Sequence, residues 1–275
     1  MKNYLSKDRL PKKGYYVEDI KKTVSQIKED FSSNHTETDN FPFSIWAKLM
    51  RECLTKNKKT LMTNSPSGGI LELRKAIAEY LRQFKNMKVL PEQIIIGTGT
   101  EYLYGLLVQL LGFDKIYGVE DPGYKKISQI YRSLSVSCNY ISMDEQGVNI
   151  GKMEKQKVNV MHLSPSHHFP TGIVMPVGRR YELLWGASKK DSRYIIEDEY
   201  DSEFRLTGKP VQTLQSIDVL GKVIYMNTFT KSLSSTIRIS YMVLPVDLLN
   251  RFNNELYFYS CTVSNFLSFK KGLYS

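Results

Sequence analysis

The stretch Gln93-Ile94-Ile95-Ile96-Gly97-Thr98-Gly99-Thr100-Glu101, continuing through Leu103, Leu106, Leu107, Leu110 and Leu111, decides the fold class. A β-branched run of this length reads as a buried strand, and leucines three and four apart read as one face of a helix. Glycines between them mark a tight strand-to-helix turn. The same alternation recurs along the chain. Short apolar runs at Ile116–Val119, Val136–Ile141, Val158–Leu163, Tyr194–Ile196, Val223–Met226 and Ile239–Leu244 alternate with helical stretches at Tyr124–Leu134 and Arg179–Ser188. Upstream, Ile70, Leu73, Ile77, Tyr80, Leu81 and Phe84 predict an amphipathic helix started by Pro66 to Gly69. Phe41-Pro42-Phe43-Ser44 opens another, from Ile45 to Leu54, with Ser44 as its N-cap. Strands alternating with helices predict an α/β domain with a mostly parallel sheet flanked by helices.

Composition narrows the function classes. Of 275 residues, 41% are hydrophobic and 12% aromatic, which excludes a disordered chain. No apolar run approaches the roughly 20 residues of a spanning helix, and the lysine-rich start lacks the apolar core of a secretory signal. Cys53, Cys138 and Cys261 are odd in number and widely spaced, which fits reduced thiols in a cytoplasmic protein. The net charge of +10 attracts polyanions without saying whether nucleic acid or a phosphorylated small molecule.

In open α/β sheets ligands bind beyond the carboxyl ends of the strands, and five post-strand segments carry suitable groups. Gly97-Thr98-Gly99-Thr100-Glu101 offers close backbone approach and free N–H groups for an anion; a plain turn is the competing reading. It has neither a complete dinucleotide fingerprint nor a P-loop lysine. Glu120-Asp121-Pro122-Gly123-Tyr124 turns tightly and leaves a tyrosine either to stack on a planar ligand or to pack in the core. In Ser164-Pro165-Ser166-His167-His168-Phe169-Pro170-Thr171-Gly172 the paired histidines have no Cys or carboxylate at ligand spacing, so no metal is expected. Ile195-Ile196-Glu197-Asp198-Glu199-Tyr200-Asp201 places carboxylates after a buried run, either as a solvated loop or as partners for a cationic ring nitrogen. Thr228-Phe229-Thr230-Lys231-Ser232-Leu233-Ser234, with Arg238 beyond it, combines an amine suited to a Schiff base with anion-binding groups.

In this order the segments resemble the fold-type I aminotransferases that use pyridoxal 5′-phosphate, and among them the aminotransferase-like domain of MocR-type regulators of the GntR family. PEQIIIGTGTEYLYGLL (91–107), PSHHFPTG (165–172), IIEDEYDSEFR (195–205) and TFTKSLSSTIRISYMVLP (228–245) carry the resemblance. It implies that Lys231 holds the cofactor as a Schiff base and that Asp198 pairs with the pyridine nitrogen. Tyr200 would bond the 3′ oxygen and Tyr124 would stack on the ring. Gly99, Thr100, Thr228, Thr230 and Arg238 would surround the phosphate. Phe169 stands where many catalytic members place an asparagine, and Glu101 where the subfamily carries glutamine.

The resemblance also implies a division of the chain: 1–29 as a remnant of a winged-helix wing, around LPKKGYYVEDI (10–20), plus linker; 30–60 as an N-terminal segment; 61–245 as the pyridoxal-phosphate-binding large domain; and 246–275 as the start of a C-terminal region that is cut short. In 1–29, eight basic residues face four acidic ones, so part of the basic excess lies in the wing-like remnant. The small C-terminal domain, which carries the arginine for a substrate carboxylate, is expected to be largely missing. The expected function is therefore a pyridoxal-phosphate-binding effector domain of a transcriptional regulator. Its expected partners are an amino acid or other small amine, a second copy in a homodimer, and DNA only through a winged helix outside this chain; no membrane is expected. The alternative is a catalytic aminotransferase moving an amino group between an amino acid and a 2-oxo acid, with little turnover expected from this chain. Direct DNA binding through the +10 charge alone would be salt-sensitive and sequence-independent.

Overall fold

The computed structural model describes residues 41–56, 58–200, 212–229 and 236–268. Every described residue lies in one compact unit, Thr38–Ser275. Helix α1 spans Phe43–Lys56 and is followed by the single turn α2, Lys58–Leu61. The helix begins two residues before the expected Ile45, and Ser44 is inside its first turn rather than capping it. The Pro42 carbonyl instead accepts from the Trp46 N–H at 2.9 Å. Proline's fixed φ favours a helix start, where its missing N–H costs nothing.

Helix α3, Leu71–Lys85, buries Leu73, Ile77, Ala78 and Leu81 on one face, while Phe84, expected on that face, is exposed. It stops at Asn86, whose φ of 53° is left-handed, and the Met87 N–H returns to the Leu81 carbonyl at 3.1 Å. There follow β1 (Ile94–Thr98), α4 (Thr100–Leu111), β2 (Ile116–Asp121), α5 (Lys125–Ser133) and β3 (Ser137–Asp144). Next come β4 (Gly147–Val148), α6 (Ile150–Lys155), β5 (Val160–Leu163), α7 (Val177–Ser188), β6 (Tyr194–Glu199) and α8 (Leu214–Ile217). The last described elements are β7 (Val223–Thr228), β8 (Ile239–Val243), α9 (Val246–Glu255) and α10 (Asn265–Ser268). Each expected apolar run is a strand; the short β4 carries too little pattern to be read from sequence.

The strands form one sheet in the order β1-β8-β7-β6-β5-β2-β3-β4. Strand β8 is antiparallel to β1 and β7, and β4 to β3; the remaining described pairings are parallel. Successive strand residues point to opposite faces, and both faces are covered. Ile95, Ile196, Ile224, Met226 and Met242 pack with Leu103, Leu106 and Leu107 of α4 and with Leu248 and Phe252 of α9. On the other face Ile94, Ile96, Tyr225 and Tyr241 meet Leu73, Ile77 and Leu81 of α3. Farther along that face Ile195 and Val223 meet Leu183 and Ala187 of α7. Helix α4 is apolar nearly all round because it lies buried between the sheet and α9. Among the described residues no helix is long and apolar enough to cross a membrane.

Candidate functional site

The reversed direction of β8 builds one end of the site. In register, Ile239 lies opposite Thr98 and Ser240 opposite Thr228, so the start of β8 sits beside the ends of β1 and β7. Arg238, just before β8, is thereby brought to Gly99 and the start of α4. The Gly99 N–H donates to the Arg238 carbonyl at 2.8 Å. A Cβ on Gly99 would lie 2.8 Å from Arg238 Nη2, and its φ of +81° is one that side chains rarely adopt. The guanidinium thus lies over a backbone that strongly favours glycine, at a helix start whose N–H groups face outward. Across the same edge the Ser240 hydroxyl donates to Thr228 Oγ1 at 2.8 Å, and the Thr100 hydroxyl bonds the phenol of Tyr104. The structure therefore brings Gly99, Thr100, Thr228 and Arg238 to one end of the sheet. Glu101 is there too, bonded to both Arg238 and Lys126.

Asp198 ends β6, and strand alternation separates it from its acidic neighbours. Glu197 and Glu199 turn to the opposite face. There Glu197 accepts from the backbone N–H groups of Leu214 and Gln215, at 2.7 and 2.9 Å. Glu199 accepts from Lys85 Nζ at 2.7 Å and from the Tyr225 hydroxyl at 2.8 Å. Burial, then the charge of Glu199, pushes Glu197 up to about 8. Burial works against the Glu199 charge, but Lys85, through its charge and its hydrogen bond, together with hydrogen bonds from Tyr225 and Ser166, outweighs it and holds that carboxyl below its usual range. Both acids are thus consumed by the scaffold.

Asp198 is held differently. Its Oδ2 accepts from the Tyr104 hydroxyl at 2.6 Å and lies 3.2 Å from His162 Nε2, while Tyr131 Oη lies 2.8 Å from His162 Nδ1. The two ring nitrogens of His162 thus bridge Asp198 and Tyr131. Burial raises both phenols well above their ordinary pKa and keeps them as donors. The other oxygen, Asp198 Oδ1, is buried and has no hydrogen-bond partner among the described residues. A buried carboxylate pinned through one oxygen and unpaired at the other suits a cationic or N–H partner.

The remaining groups come from neighbouring loops. Tyr124 caps the start of α5, 48% exposed rather than packed in the core, and meets Phe169 edge-on at 6.3 Å between centroids. Tyr200, one residue beyond β6, stacks on His167 at 6.2 Å. His168 Nδ1 lies 2.8 Å from Thr171 Oγ1, and its Nε2 lies 3.5 Å from Glu120. Burial pushes Glu120 up to about 8, although the Ser164 N–H donates to it at 2.9 Å. Thr230 and Lys231 lie outside the described residues. Sequence reasoning did not find Tyr104, Tyr131, His162 or Arg180. Two signals were available: a polar residue inside an otherwise apolar strand, His162, and a tyrosine on the leucine face of α4.

The family description "Aminotransferase class I and II" matches residues 26–265. YdeL of Bacillus subtilis, described as an uncharacterized HTH-type transcriptional regulator, is 38% identical over 94% of this chain and 55% of its own length. The probable rhizopine catabolism regulatory protein MocR of Rhizobium meliloti is 32% identical over 81% of this chain and 45% of its own length. The chain thus spans about half the length of these relatives. Among solved structures, α-aminoadipate aminotransferase LysN of Thermus thermophilus, complexed with N-(5′-phosphopyridoxyl)-L-leucine, superposes with a TM-score of 0.71 at 20% identity, covering 92% of this chain and 68% of that one. Together with the sheet order and the match over most of its length, the chain belongs to the aminotransferase class I and II family, and pyridoxal phosphate is the cofactor this membership indicates.

Proposed function

We propose that this chain is the pyridoxal-phosphate-binding, aminotransferase-like effector part of a MocR/GntR-type transcriptional regulator. The observation that carries the cofactor site is Asp198, whose Oδ2 is fixed by Tyr104 and His162 while its buried Oδ1 has no partner among the described residues. A protonated pyridine nitrogen is the partner such an oxygen suits. The Gly99 backbone beneath Arg238 likewise fits an anion brought to a helix start. When bound, pyridoxal phosphate supplies an electrophilic carbon and a ring that withdraws electrons.

The chain's own residues divide the remaining work. Asp198 holds a proton at the ring nitrogen, and Tyr104 and His162 hold Asp198. Gly99, Thr100, Thr228, Thr230 and Arg238 take the phosphate. Tyr124 would lie against the ring face and Tyr200 would bond its phenolic oxygen. Lys231 supplies the amine that retains the cofactor. In the whole regulator an amino acid or small amine would bind here and alter how an attached winged helix engages DNA, as a homodimer in the cytoplasm. Its support is the likeness to regulators named HTH-type and the wing-like stretch at 10–20.

Borohydride reduction followed by intact mass spectrometry tests the cofactor site. Wild type incubated with pyridoxal phosphate should gain one pyridoxyl phosphate, and Lys231→Ala none. Equal labelling of both would remove the assignment. The regulatory reading falls if the coding frame upstream of Met1 encodes no helix-turn-helix.

A further inference from the structure

Glu101 occupies the first turn of α4, within the same end of the sheet as Gly99 and Arg238. Its carboxylate bonds the Arg238 guanidinium and, on its other side, the Lys126 ammonium of α5. A Cβ on Gly99 would lie 3.5 Å from Glu101 Oε2 and 2.8 Å from Arg238 Nη2, so carboxylate and guanidinium meet directly over that glycine. The three side chains are only partly covered, at 36% exposure for Glu101 and 49% for each cation, so all remain within reach of solvent and ligand.

We propose that Glu101 is a built-in competitor for phosphate at Arg238, which weakens the hold of this site on phosphorylated ligands and makes it reversible. The inference rests on the reading that Arg238 takes the cofactor's phosphate. A carboxylate and a phosphate present the same oxygens to a guanidinium fork, and both are favoured at a helix start. Donors already bonded to Glu101 must be released before they can bond a phosphate. Lys126 makes the exchange possible, because Glu101 keeps one cation when it yields the other. Hydrogen bonding from Lys126, with Arg238 beside it, holds the Glu101 carboxyl below its usual range, so it is charged at neutral pH. Replacing it by an uncharged group of the same shape leaves both cations to the phosphate. Ionic strength should erase much of the difference, since the charges are solvent-accessible.

Equilibrium titrations with pyridoxal phosphate and with pyridoxal, which lacks the phosphate, test this directly. The Glu101→Gln chain should bind pyridoxal phosphate about two- to fivefold more tightly than wild type. It should bind pyridoxal equally well, and the gain should shrink as salt is raised. Unchanged pyridoxal phosphate affinity, or an equal gain for pyridoxal, would overturn the inference. Arg238→Met tests the underlying reading separately. It should remove most of the preference for pyridoxal phosphate over pyridoxal, and a preference that survives would place the phosphate elsewhere. Retained Arg238 dependence with an inert Glu101→Gln would sink the competitor alone.

Discussion

The phenol of Tyr104 on α4 donates to Asp198 Oδ2 on β6 at 2.6 Å, although 94 positions separate them in the chain. The contact joins the first strand-to-helix turn to the middle of the sheet. It also fixes the acid whose second oxygen is left unpaired among the described residues.

Removing that hydroxyl should therefore be felt twice. Tyr104→Phe keeps the ring packed against His162, 5.0 Å away between centroids, but leaves Asp198 a single side-chain donor among the described residues. The loss of a buried hydrogen bond to a charged group predicts about 1–3 kcal/mol lower stability in urea unfolding. Pyridoxal phosphate should bind several-fold more weakly by titration, because an acid no longer held in place orients its partner less well. An unchanged affinity would mean that His162 alone positions Asp198.

Gly99→Ala addresses the other end of the site. The φ of +81° is strained for any side chain, and the new methyl would press on Arg238 Nη2 at 2.8 Å. The guanidinium can swing away, so the cost is set by the backbone, about 1–3 kcal/mol. That corresponds to a Tm lower by roughly 2–12 °C. Affinity for pyridoxal phosphate should fall while affinity for pyridoxal holds, and equal losses for both would contradict the placement of Arg238.

How much of this was legible follows from which forces act locally. The turn at Gly97 to Thr100 and the strand ending in Asp198 are readable because glycine punctuation and β-branched runs are properties of short segments. That Asp198, rather than Glu197 or Glu199, faces α4 follows from alternation once the strand's register is known; sequence alone presents three adjacent acids. Tyr104, Tyr131 and His162 were hidden for a different reason. Inside a helix or strand each reads as core filling, and only the packing of α4 and α5 across β5 and β6 turns them into a chain of donors. The Ser44 cap failed because Pro42 competes for the same role two residues earlier.

Arg180 should be a positioning residue for the loop that carries His167 to Phe169. It is fully buried on α7, and its guanidinium donates to the carbonyls of Met175, Gln212 and Pro165 at 3.0, 2.7 and 2.8 Å. Lysine cannot reproduce that fork, so Arg180→Lys should leave buried carbonyls unpaired. The expected cost is about 2–5 kcal/mol in chemical denaturation. Thermolysin should then cut more readily near Ile173 and Val174. A variant as resistant as wild type would show that the loop is held by its own turns.

Glu120 predicts a pH dependence with a definite sign. Burial pushes its carboxyl from 4.5 up to about 8, and the hydrogen bond from Ser164 offsets this only in part. Facing it, His168 is pushed below its ordinary value, by burial first and then by the neighbouring charge of His167. Both shifts favour an uncharged pair at neutral pH. Below pH 4.5 Glu120 is protonated whether the chain is folded or not, so it has no pH-dependent effect there. Between that value and about 8 the folded chain keeps a proton that the unfolded chain has released. Stability must therefore fall as pH rises through this window and level off above it. The size of the fall is about 1–5 kcal/mol. Glu120→Gln keeps an acceptor for the Ser164 N–H but cannot ionise. Its unfolding free energy should be flatter across the window and should exceed that of wild type above pH 8 in urea titrations. Parallel curves for the two proteins would mean that Glu120 ionises in the folded chain as it does in water, with a water or a cation at His168 compensating the charge.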